Sequence, residues 1–180
     1  MKLTKFCLGC LLVPVGLITL SLPVQASVPP AIMAQASWQN FSSPDGQFTV
    51  RVPSNPEEQV QENGKLYIVT APDPALYAVA YIDTPNIDTA RLDTQKKARD
   101  AAIAEYLRGG NFQLKREEEL ANHPYLGKEI EFVFSQNTNA QSGIARFFIF
   151  GQRVYGVIVI TPSSENRQRF LDSFQFMESD

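Results

Sequence analysis

The feature that most constrains this chain lies near its C-terminal end. "IARFFIF" (Ile144–Phe150) and "RVYGVIVITP" (Arg153–Pro162) are separated by Gly151-Gln152 alone. Two residues with a glycine between two β-rich runs read as a hairpin. Both arms are apolar at nearly every position, so neither face of the sheet they belong to faces water. Covering two faces takes at least two further layers. Two helical segments are available. "DTARLDTQKKARDAAIAEYLRGGN" has no proline, and Gly109-Gly110 reads as its C-cap, with Asp88 or Asp93 as N-cap. Ala98, Ala102 and Tyr106 form a stripe with Ile103 and Leu107. Lys96, Lys97, Arg99, Asp100 and Glu105 fall mostly off it. "PSSENRQRFLDSFQFM" places Ser163 or Ser164 at an N-cap, Glu165 in the first turn, and Phe170, Leu171 and Phe174 on one side.

The remaining segments read as strands. "FTVRV" after Pro44-Asp45-Gly46 alternates with period two. Asn63-Gly64 predicts a hairpin with arms near Glu58–Gln61 and Lys65–Ala71, and "PDP" turns the chain into "ALYAVAYID". Tyr77, Val79 and Tyr81 share one face of that strand. "FQLKREEELA", the turn "NHPY", and "LGKEIEFVFS" make a further pair. A polar loop, "QNTNAQSG", leads to the apolar hairpin, and Phe176 opens a short closing strand. The expected fold is α+β: an antiparallel sheet of about six to seven strands with a helix on each face.

The chain begins with Lys2 and Lys5, an apolar run from Phe6 to Leu22, and "VQAS", with Val24 and Ala26 small enough for a peptidase. This pattern is that of a secretory signal peptide over residues 1–26. "AQAS" offers a second cut, after Ala36. Pro14 breaks the apolar run, which sets an uncleaved membrane anchor second. "CLGC" leaves only Phe6–Gly9 before Cys10, too little for a lipoprotein signal. Residues 27–37 read as a flexible leader, and 38–180 as one domain. The expected product is exported, to a periplasm or a thylakoid lumen, with no membrane span once cut. Both cysteines, Cys7 and Cys10, go with the signal. Removing Lys2 and Lys5 leaves 14 Lys and Arg against 19 Asp and Glu. That balance argues against nucleic acid, which wants a basic patch.

Chemistry is sparse. His123 is the only histidine, and zinc wants three or four N or S donors. Next to Pro124 it reads as a turn: a cis-proline corner or a wider loop. A turn centred there puts Glu119 opposite Lys128, Arg116 opposite Glu131, and Glu118 opposite Glu129. Glu118, Glu129 and Glu131 then share a face, a weak calcium candidate whose bland reading is a solvated charged strand. No hydrolase, nucleotide or metalloprotease motif is present. The residues point to no catalytic group, no cofactor and no metal site. They favour a binding or assembly module, with a calcium or small-ligand module as the alternative and a hydrolase behind both.

The order of elements carries a resemblance. The opening "FSSPDGQFTVRVP", the aromatic hairpin "RFFIFGQRVYGVIVI" and the closing "SSENRQRFLDSFQF" are similar to the PsbP-like (Mog1/PsbP-like) family, especially its exported bacterial and cyanobacterial members. It spans roughly Trp38 to Phe176. The resemblance implies an antiparallel sheet between helices and no enzyme activity. It also implies a protein partner: photosynthetic members of the family are lumenal subunits or assembly factors of photosystem II.

Overall fold

The computed structural model describes residues 38–71, 75–121, 123–136 and 139–177, without the side chains of 134–140. The signal peptide expected over 1–26, the leader over 27–37, the "PDP" turn and Asn122 of the "NHPY" turn lie outside the described residues. Among the described residues ten strands and two helices follow in order. They are β1 (Gln39–Ser43), β2 (Phe48–Val52), β3 (Glu57–Gln61), β4 (Gly64–Ala71), β5 (Ala75–Asp83) and α1 (Leu92–Gly109). After α1 come β6 (Gln113–Glu119), β7 (Gly127–Gln136), β8 (Asn139–Phe150), β9 (Arg153–Ile160), α2 (Ser164–Ser173) and β10 (Gln175–Phe176).

The strands form two sheets rather than one. Seven make an antiparallel sheet in the order β3-β4-β5-β9-β8-β7-β6, and β1-β2-β10 make a separate three-stranded sheet. The alternation in "FTVRV" is real, but Phe48, Val50 and Val52 face inward from this second layer. They join one core with Tyr67, Tyr77, Val79, Tyr81, Tyr155, Val157, Val159 and, from α2, Phe170 and Leu171. Ser163 caps α2 as expected, accepting from Asn166 N at 3.2 Å.

The other face of the large sheet carries Ala78, Ile130, Phe132, Ala145, Phe147 and Ile158, against Ile103, Tyr106 and Leu107 of α1. Helices therefore do cover both faces, and the β8–β9 hairpin sits at the centre, apolar on both sides because both are packed. The loop expected over Gln136–Gly143 is mostly strand, since β7 and β8 pair out to Gln136 and Asn139. Backbone ladder bonds outweigh the polar composition there.

The ends of α1 differ from expectation. Arg91, not an aspartate, holds the N-cap position, and no side chain caps it. Asp88 is taken by an earlier turn, accepting from Ala90 N at 3.0 Å, and Asp93 lies inside the first turn beside Arg91. At the C-terminal end Gly110 is in a right-handed conformation, and the left-handed residue is Asn111, with φ of 53°.

Candidate functional site

The helix α1 runs over β8 and β9. Leu66, Ile68 and Leu76, on the same face of β4 and β5, are left half-buried. Between the helix and this uncovered half lies a cleft of about 460 Å³. Its floor is built from cross-strand rows. Ala80 pairs with Gly156, which pairs with Phe147, and Ile82 pairs with Val154. Small residues at Ala80 and Gly156 lower the floor. The wall is Ala102, Tyr106 and Gly109 of α1. Phe112 closes one end, because the chain turns back after Asn111 and lays its ring 4.9 Å from that of Tyr106. The Tyr106 ring also meets Phe132 and Phe147 edge-on, at 5.4 and 5.5 Å. Burial pushes the Tyr106 hydroxyl well above the usual phenol range, so it stays protonated.

A charged cluster anchors the same helix further along. Arg99, fully removed from solvent, donates from both terminal nitrogens to Glu119 at 2.7 Å, and from Nε and a terminal nitrogen to Asp100 at 3.1 and 2.9 Å. Lys128 lies 3.2 Å from Asp100 and 3.7 Å from Glu119. The Arg99 hydrogen bonds hold the Glu119 carboxyl below the usual range. Burial would raise that of Asp100, but its bonds to Arg99 and Lys128 outweigh this and lower it. Both acids are therefore ionised, and the arrangement is a clamp rather than a proton donor.

The chain has the PsbP/Mog1-like fold. No protein-family model matches it, and no curated protein matches it in sequence. Solved structures do match. Cyanobacterial PsbP (CyanoP) from Synechocystis superposes with a TM-score of 0.57 at 11% identity, over 83% of this chain and 98% of that one. The Ran-binding protein Mog1p of Saccharomyces cerevisiae superposes with 0.50 at 12% identity, over 79% and 97%. The expected resemblance thus holds at the level of architecture.

Within the PsbP/Mog1-like fold the expected site residues fall as follows. Glu118 does oppose Glu129, Arg116 opposes Glu131, and Glu119 opposes Lys128. The acidic face is threaded with arginine: Arg116 pairs with Glu118 along the strand, and Arg146 reaches Glu129 at 2.8 Å and Asp172 at 3.0 Å. Among the described residues no three His, Cys, Asp or Glu side chains gather as a metal centre would require. The His123–Pro124 bond is trans, so this corner is not a cis-proline turn. His123 Nδ1 accepts from Tyr125 N at 3.3 Å, and the ring lies 4.6 Å from Phe148. Burial lowers its affinity for a proton. This is a histidine stitched into a corner.

Sequence reasoning missed both the cleft and Arg99. The cleft arises from which strands α1 fails to cover, which no local pattern encodes. The signal for Arg99 was present: it stands four residues before Ile103, on the buried stripe.

Proposed function

We propose that the protein is an exported, non-enzymatic accessory factor that works by contact with another protein, with photosystem II on its lumenal side as the first complex to test. In this reading residues 1–26 are a cleaved signal, 27–37 a leader, and 38–180 the working domain. The observation that carries it is the fold, which spans nearly all of two proteins, one of them described as Ran-binding. Supporting it, the cleft is lined mainly by apolar side chains, and the ionised Asp100 and Glu119 are spent on Arg99 and Lys128. A fold neighbour alone does not fix a function, so the partner is a matter for experiment. No helix among the described residues is long and apolar enough to cross a membrane.

The test is co-fractionation at native expression. The chain, tagged after residue 180, is followed through native gels of solubilised membranes, with its N-terminus read by mass spectrometry. Migration with a membrane complex and a new N-terminus at Ser27 or Ser37 are expected. Recovery solely as a free monomer with Met1 intact would overturn the proposal.

A further inference from the structure

We propose that the cleft beside α1 binds a free small molecule: flat, neutral, largely apolar, and carrying one oxygen or nitrogen able to hydrogen-bond. The inference goes beyond any protein partner and does not depend on one. Three observations carry it.

The first is the space. At about 460 Å³ the cleft falls within the ~300–1,000 Å³ of small-molecule sites. It exists because its floor and wall are made of Ala80, Gly156, Ala102 and Gly109, where larger residues would fill it. A Cβ placed at Gly109 would meet nothing within 4 Å. The second is the shape and lining. The floor is a sheet face, and the rings of Tyr106, Phe112 and Phe147 stand around it, a setting that favours a flat, ring-containing guest.

The third is a polar group without a partner. Among the described residues the Tyr106 hydroxyl makes no hydrogen bond. Yet the only sealed, unpaired side-chain polar atom among them is Arg167 Nε. The hydroxyl therefore opens onto accessible space, and Tyr106 lines the cleft. A phenol placed in an apolar wall is costly unless something bonds to it. The rest of the lining has no cation, and its one acid, Glu105, is exposed and paired with Arg108. A charged guest would be stripped of water with nothing to answer its charge; a neutral one fits.

The test uses two probes of one shape, 2-naphthol and 2-methylnaphthalene, titrated against the purified protein by fluorescence. Both are expected to saturate a single site, with the naphthol about five-fold tighter through its bond to Tyr106. Tyr106→Phe should erase that preference and leave the methyl compound unaffected. Ala80→Leu and, separately, Ala102→Leu should abolish both, each with the circular dichroism of the parent. The proposal is overturned if neither probe saturates, if both bind alike and Tyr106→Phe changes nothing, or if binding survives in a folded Leu variant. It is equally overturned if sedimentation shows a dimer that either Leu variant dissociates, since the occupant is then a second copy.

Discussion

Arg99 is the largest side chain fully removed from solvent among the described residues, and it survives there because its guanidinium fork is answered on two sides. Two parallel bonds go to Glu119 and two more to Asp100, the geometry at which arginine outperforms lysine. Its partners are about half exposed. Removing Arg99 therefore leaves no sealed carboxylate, only lost packing and lost bonds. Arg99→Met is expected to cost about 2 kcal/mol by urea denaturation at neutral pH, less than the ~3–5 kcal/mol of a sealed pair. The acid side follows from the same bonds. The folded state holds Glu119 and Asp100 below their ordinary values, so the unfolded chain takes up protons first. The clamp's contribution is full above the ordinary carboxylate range, about pH 4, and is lost as pH falls through the folded values. Denaturation at pH 7 and pH 3 should therefore separate parent from Arg99→Met widely at the first and narrowly at the second. A gap of equal size at both would show that Arg99 acts by packing alone.

At the scale of elements, the end of α1 separates two glycines that look alike in sequence. Gly110 lies against Phe112: a Cβ there would fall 2.1 Å from a ring carbon, while one at Gly109 would find open space. Gly110→Ala should thus push aside the ring that closes the cleft, at about 1–3 kcal/mol. Gly109→Ala should be neutral or stabilising by up to about 1 kcal/mol, since alanine suits a helix better. Thermal melts of the two variants decide it, and a matching loss in both would contradict the packing. The pair also shows what sequence could convey. The helix, the capped start of α2, the Asn63-Gly64 hairpin and the central apolar hairpin were all legible, because each rests on local periodicity or turn chemistry. The start of α1 was not, because Asp88 had a competing local bond. The layer to which β1 and β2 belong was not, because strand alternation names a buried face without naming the sheet across from it. The Glu118–Glu129 register was legible from the turn alone; that Arg146 would answer it from β8 was a matter of tertiary placement.

For the molecule as a whole, the seven-stranded sheet ends in β3 and β6, both exposed at every residue. Their charges, and the irregular register between Leu114 and Arg116, keep these edges from pairing with another chain. Replacing Arg116 and Glu118 together by valine removes a mutual ion pair without orphaning either charge, and makes β6 a flat, sticky edge. Sedimentation at tens of micromolar is expected to show larger species than the parent forms; an unchanged profile would mean the bulge alone protects the edge. The smaller sheet has a different logic. Its middle strand, β2, is held on one side by its neighbour β1 and on the other by β10, more than a hundred residues later. During synthesis, β1 and β2 must wait for β10 before their layer can close. Closure of this layer is thereby tied to a contact distant in sequence, which slows folding: until Phe176 arrives, the aromatic core beneath lacks the ring that meets Tyr125, Phe148, Phe150, Tyr155 and Phe174.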